Sequence, residues 1–250
     1  MACCTMQFRS NALNKACSMN IILPDRQEKD GPYPVFYLLH GLSDDHTGWM
    51  RRTSIERYVQ DLPLIIVMPD GGRSFYCNAV EGPGYEACMI EDVIGFVDRF
   101  FNTIPSREGR VIGGLSMGGY GALKLALKFP HLFSSSVSHS GALGITQAKA
   151  ETIREDMRVE FPQIFGPNPF GGKDCLFKLA ETIDRNQLPA LRIDCGTDDG
   201  LLQANRDFHA HLNALDISHE YEEFPGAHTW DYWDIHIQEA ITFHRKTLGI

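Results

Sequence analysis

An apolar stretch that runs into Gly114-Leu115-Ser116-Met117-Gly118 and continues as helix-forming residues constrains this chain more than any other feature. A strand over 110–114 must stop, turn sharply and enter a helix over 117–128. The small residues at 114 and 118 let the backbone bend there without a clash. The residue left at the tip of the turn is a serine. Another apolar run near 133–138 completes a strand-helix-strand unit, and such units build parallel sheets covered by helices on both faces.

The rest of the chain repeats this alternation. Apolar runs at 35–39, 64–68, 190–195 and 218–224 interleave with helical patterns at 54–60, 89–101, 201–215 and 231–247. The unbroken run at 35–39 suits a strand buried on both faces. In the second helix Ile90, Val93, Ile94, Val97, Phe100 and Phe101 recur at helical spacing, the mark of an amphipathic helix lying on a sheet. Two strands come first, over 5–9 and 16–23, followed by a Pro24-Asp25 turn and a polar connection through Gly31. Between 142 and 186 the pattern loosens into short pieces broken by Pro162, Pro167-Asn168-Pro169 and Gly171-Gly172. That segment reads as an insertion serving as a lid or pocket wall. Its phenylalanines, Phe161, Phe165, Phe170 and Phe177, form either an apolar wall or a small core of their own.

With 250 residues and no internal repeat or linker, the expectation is one α/β domain over 1–250. Apolar residues make up 43% and charged residues 22%, which excludes a disordered or fibrous chain. The net charge of −9 repels phosphate backbones and anionic membrane surfaces, so no nucleic acid and no membrane is expected as a partner. No apolar run approaches a membrane span, and the start of the chain lacks a basic segment followed by an apolar one. Seven cysteines, odd in number and without metal-like spacing, read as reduced thiols. A cytoplasmic location follows from these features.

A serine hydroxyl is a poor nucleophile at neutral pH. It needs a base within hydrogen-bond reach and a carboxylate to hold that base in the right tautomer. On the α/β-hydrolase fold the chain order is serine, acid, histidine. Cys195-Gly196-Thr197-Asp198-Asp199-Gly200 follows the strand at 190–195, and Pro225-Gly226-Ala227-His228 follows the strand at 218–224. Both loops leave the carboxyl ends of strands, where open α/β sheets bind ligands. Asp198 and Asp199 compete for the acid role, and either could cap the helix that starts near Leu201. Because the serine turn opens a helix, the Met117 N–H is free to face a developing oxyanion. A second donor is expected from the loop after an early strand, where Gly41 permits a turn that aims the Leu42 N–H inward. His40, Gly41, Trp49, Asp70 and Tyr76, with Arg73 and Asn78, stand near strand ends and are candidates to line the substrate pocket.

Other chemistries find less support. His209, His211, His219, His228 and His236 include no H-E-x-x-H pair, and His209 and His211 stand two apart on a helix, so no metal is expected. No cysteine occupies a turn like that of Ser116. No organic cofactor is needed for the reaction.

Taken together, His40-Gly41-Leu42, His46-Thr47-Gly48-Trp49, Val67-Met68-Pro69-Asp70-Gly71-Gly72, the run Gly114 to Leu123, Asp194-Cys195-Gly196-Thr197-Asp198-Asp199 and Pro225-Gly226-Ala227-His228 resemble the Putative esterase family of the α/β-hydrolases. That family includes esterase D, which is S-formylglutathione hydrolase, tributyrin esterases, feruloyl and acetylxylan esterases, and mycolyltransferases. The resemblance spans nearly the whole chain and is nearest to the tributyrin-esterase branch. It implies a nucleophile at Ser116, a base at His228, an acid at Asp199 and oxyanion donors at Leu42 and Met117. It further implies a cytoplasmic serine carboxylesterase of small short-acyl esters, assembled as a homo-oligomer. One departure points away from a glutathione thioester: the run Gly41-Leu42-Ser43-Asp44-Asp45 stands where S-formylglutathione hydrolases carry Gly-Leu-Thr-Cys-Thr. Sugar acetate or ferulate esters are the other alternative, and a non-catalytic binding protein on the same fold is the alternative from a different class.

Overall fold

The computed structural model describes residues 1–25, 31–148 and 153–250. Part of the polar connection after Asp25 and residues 149–152 of the expected insertion lie outside them. Among the described residues one sheet holds eight strands: β1 (Ala2–Ser10), β2 (Lys15–Leu23), β3 (Val35–Leu39), β4 (Ile65–Pro69), β5 (Arg110–Leu115), β6 (Ser135–His139), β7 (Ala190–Gly196) and β8 (Glu220–Phe224). Their order across the sheet is β1-β2-β4-β3-β5-β6-β7-β8. The first two strands form an antiparallel hairpin added to β4, and every pairing from β4 through β8 is parallel.

Helices cover both faces: α1 (Gly48–Arg52), α2 (Ile55–Tyr58), α3 (Tyr85–Ala87), α4 (Ile94–Phe100), α5 (Met117–Lys128), α6 (Glu160–Phe165), α7 (Leu176–Thr182), α8 (Leu202–Ala214) and α9 (Trp230–Leu248). The period-two alternation of a strand sorts the core into two layers. Val35, Tyr37 and Leu39 of β3 join one layer with Leu123 and Ala126 of α5 and Phe208 of α8. Phe36 and Leu38 face the other, against Trp49 of α1, Ile55 of α2 and Trp233, Ile237 and Ala240 of α9. All five residues of β3 are fully buried, as its unbroken apolar run requires.

Two stretches depart from the sequence pattern. The expected helix over 89–101 begins as a π-helical turn, Cys88–Val93, before α4. Asp92 in that turn accepts from Ser10 Oγ at 2.5 Å and Ala12 N–H at 3.0 Å, so the wider winding delivers its carboxylate to the β1–β2 hairpin. The loose middle segment contributes α6, α7 and 3₁₀ turns at Ile145–Gln147 and Glu155–Met157. Its phenylalanines do not act as one unit. Phe165 packs on Phe75 and Tyr120, Phe161 packs on Phe165, Phe177 meets Phe208, and Phe170 is exposed.

Candidate active site

The site lies at the carboxyl ends of the central strands because the register puts them side by side. Leu39 at the end of β3 pairs with Gly114 near the end of β5, so the loop after β3 and the turn after β5 leave the sheet together. Ser116 occupies that turn with φ +53° and ψ −115°, outside the regions an L-residue ordinarily adopts. Its neighbours explain why the strained turn forms. A Cβ on Gly114 would stand 2.6 Å from Leu39 O, and one on Gly118 would stand 2.5 Å from the same oxygen, so only glycine lets α5 approach β3 this closely.

The other two strands contribute in the same way. Gly196 of β7 pairs with Phe224 of β8, and backbone bonds continue past the strand ends, from Thr197 N–H to Phe224 O and from Asp198 N–H to Gly226 O, each at 2.8 Å. The acid loop and the histidine loop are thereby joined. His228 Nε2 lies 3.0 Å from Ser116 Oγ, and His228 Nδ1 lies 2.8 Å from Asp199 Oδ2. Hydroxyl, imidazole and carboxylate form one hydrogen-bonded series.

The two aspartates face different ways. Asp198 is exposed, and it contributes its backbone N–H to the His228 loop. The Asp199 side chain is fully buried; one oxygen meets His228 Nδ1 and the other accepts the N–H of Leu201, the residue before α8, at 2.8 Å. Burial alone pushes its carboxyl pKa up. The bonds from His228 and the Leu201 N–H outweigh that, and the group stays ionised below the usual carboxylate range.

Two backbone N–H groups next to the serine turn are left outside the local hydrogen bonding. Met117 is the first residue of α5, so its N–H lies outside the helical ladder. Residues 41–44 form a turn closed by Asp44 N–H to Gly41 O at 3.2 Å, which leaves the N–H of Leu42 outside the bond. A cavity of about 480 Å³ opens over this group, and Leu42, Ser116, Met117, Asp199 and His228 all line it. Among the described residues no group of three or more His, Cys, Asp or Glu side chains could hold a metal ion.

None of the seven residues expected to line the substrate pocket is among those lining the cavity. His40 is buried behind it: Nε2 accepts the Gly71 N–H at 2.8 Å and Nδ1 lies 2.7 Å from Gly41 O, so the ring pins the β3 loop to the β4 loop. Gly41 has no side chain to offer, and its role is close approach to Leu115 and Ser116. Trp49 is 1% exposed and donates from Nε1 to Leu39 O at 3.0 Å. Tyr76 is wholly buried and donates to His40 O, while Asp70 accepts the Gly72 N–H within the β4 loop. Strand-end position marked these residues as close to the site, but burial has made them its scaffold. Arg73 pairs with Glu160 and Asp156, and Asn78 accepts the Ala87 N–H of α3.

The sequence reading missed most of the true lining. Phe75, Ala142, Ile145, Ile153 and Met157 are apolar residues on loops and short turns without periodic pattern, and Ala204 stands in the first turn of α8. It also missed Trp233, whose ring stands edge-on to His228 with centroids 4.9 Å apart. The spacing of Trp230 and Trp233, one helical turn apart just after His228, was the available signal.

Known proteins agree with this architecture. The Putative esterase family model matches residues 10–244. An acetyl esterase of Caldicellulosiruptor saccharolyticus is 32% identical over 267 residues, covering 98% of this chain and 99% of that one. Two Staphylococcus aureus structures superpose with a TM-score of 0.87 over 97% of this chain and 98% of theirs. They are the fluorophosphonate-binding serine hydrolase FphF with substrate bound, 31% identical, and the S-formylglutathione hydrolase FrmB as apoenzyme, 32% identical. A match over nearly the full length, joined to a nucleophile turn on a parallel sheet, means that the chain belongs to the Putative esterase family, serine hydrolases of the α/β-hydrolase fold.

Proposed function

We propose that Ser116, His228 and Asp199 carry out the ester hydrolysis of this serine esterase, with the Leu42 and Met117 N–H groups as the oxyanion donors. The observation behind this reading is the unbroken series from Ser116 Oγ through His228 to Asp199, at 3.0 and 2.8 Å. Ser116 Oγ attacks the ester carbonyl carbon while His228 Nε2 takes the hydroxyl proton. The carbonyl oxygen becomes an oxyanion held by the two backbone donors. Collapse breaks the bond to the alcohol, which leaves with the proton from His228, and the acyl group remains on Ser116. Water, deprotonated by the same imidazole, then attacks the acyl-enzyme and releases the carboxylic acid. Asp199 keeps the imidazole in the tautomer that can accept at Nε2 and stabilises the imidazolium that forms.

The substrate is a small-molecule ester. Lining residues from 142–148 and 153–157 form its wall, and the chain works as one α/β-hydrolase unit around it. Seven free cysteines support a cytoplasmic location. No described helix is long and apolar enough to cross a membrane. Thioester hydrolysis is a second reading, favoured by the 32% identity to an S-formylglutathione hydrolase. The test is turnover of p-nitrophenyl acetate, with S-formylglutathione alongside. Ser116→Ala is expected to lower kcat by roughly 10⁴–10⁶-fold, and near-normal turnover by that variant contradicts the assignment.

A further inference from the structure

The chemistry of the cavity wall narrows the class of ester. Leu42 and Met117, whose N–H groups are the proposed oxyanion donors, line the same cavity as Ser116, so an ester carbonyl held there opens onto it. Beyond them the wall continues as Phe75, Ile145, Ile153 and Met157. Among the described lining residues outside the triad, the one charged side chain is Arg154. Its guanidinium, largely exposed, donates from Nε and Nη2 to Asp156, at 3.0 and 2.9 Å. Among the described residues the wall therefore offers mostly apolar contact.

Size points the same way. The cavity measures about 480 Å³. At one water volume per carbon, about 30 Å³, the methyl of an acetyl group occupies a small corner. The seven carbons that trail an octanoyl carbonyl fill roughly 210 Å³ on the same scale, leaving room for the alcohol.

Resting on the serine esterase reading above, we infer that the acyl site is built for unbranched aliphatic acyl groups of about six to eight carbons, and not for acetyl alone. Each methylene added to the acyl chain buries apolar surface against this wall. That is worth about 0.8 kcal/mol, or about fourfold in kcat/KM when the gain is expressed in the transition state.

The experiment is a series of p-nitrophenyl esters from acetate to decanoate, below their aggregation limits, with alkyl acetates of growing alcohol and methyl ferulate in parallel. The expected result is a rise in kcat/KM of two- to fourfold per acyl methylene up to hexanoate or octanoate, then a plateau or fall. The alkyl acetates should rise less steeply. Ala204→Phe, which narrows the cavity beside Gly144, should lower the octanoate-to-acetate ratio at least tenfold; where that variant fails to fold, Ala204→Leu should lower it in the same direction. A series that falls beyond acetate or butyrate overturns the inference, as does a steeper rise on the alcohol side or preference for ferulate. If acetate turnover depends on Ser116 while the chain-length series is flat, the esterase reading stands and this inference does not. If the protein turns over none of the esters, both are lost.

Discussion

The imidazole of His228 stands perpendicular to the indole of Trp233, at an interplanar angle of 90° with ring centroids 4.9 Å apart. The contact continues through Trp230 to Trp49, each step edge-on at 5.4 Å, and Trp49 donates to Leu39 O at the root of the oxyanion loop. One aromatic ladder thus supports His228, the proposed base, and the strand end from which the proposed Leu42 donor emerges.

Trp233 is a positioning residue in this arrangement, since it touches the base and does not line the cavity. Trp233→Leu should lower kcat about tenfold with KM nearly unchanged, because a base misplaced by a fraction of an ångström loses proton transfer and not binding. Trp233→Phe, which keeps an aromatic edge against the ring, should recover most of the loss. Steady-state kinetics on the two variants test this, and equal losses in both would count against a positioning role.

Asp199 and Asp198 provide a matched pair. Asp199→Asn leaves a group that can donate to Nδ1 and so favours the wrong tautomer, a change that cost about 10⁴ in kcat in serine proteases. A fall of that order is expected here. Asp198→Asn alters an exposed side chain and keeps the backbone bond to Gly226, so kcat should change less than twofold. The two values of kcat, measured on esters at neutral pH, decide the acid.

The nucleophile turn predicts a stability effect as well. Gly118→Ala puts a methyl group 2.5 Å from Leu39 O and 2.7 Å from His40 O, and backbone cannot give way cheaply. A destabilisation of about 2 kcal/mol is expected from such overpacking, which lowers Tm by about 4–8 °C in a chain of this size. Thermal unfolding measured alongside esterase activity should show both falling together.

His244, wholly buried on α9, makes stability depend on pH. Burial holds its pKa at about 3 against an ordinary 6.5, and the nearby His139 adds to the effect. Its Nδ1 pairs with Ser135 Oγ at 2.7 Å, and its ring packs against Phe36. The unfolded chain protonates this histidine near 6.5, while the folded chain resists until about 3. The stabilising difference is therefore fully present above 6.5. It is lost as pH falls from there toward 3, at up to about 1.4 kcal/mol per pH unit. His244→Gln should flatten the acid limb of stability by about one proton-equivalent, measured by urea denaturation between pH 6.5 and 4.5.

Much of this was legible in the residues themselves. The run at 35–39 matched β3 residue for residue because a strand buried on both faces must be apolar throughout. The helix over 117–128 matched α5 because Ser116 and its glycines mark its start. The three side chains of the series were nameable because strand ends and chain order dictate where they emerge. What failed was the distance between being near a strand end and facing the cavity. His40, Trp49 and Tyr76 have polar or aromatic character suited to a pocket, yet each turns its polar atom onto the backbone and supports the loops from behind. The wall residues Ala142, Ile145, Ile153 and Met157 carry no period to read, because loops and 3₁₀ turns are set by what they pack on.

The most direct test of the central claim is intact mass measurement and peptide mapping after reaction with a fluorophosphonate, on the wild type and Ser116→Ala. One adduct per chain on the peptide holding Ser116, absent in the variant and slowed in Asp199→Asn, is the predicted result. An adduct on another residue, or undiminished labelling of Ser116→Ala, would contradict the account.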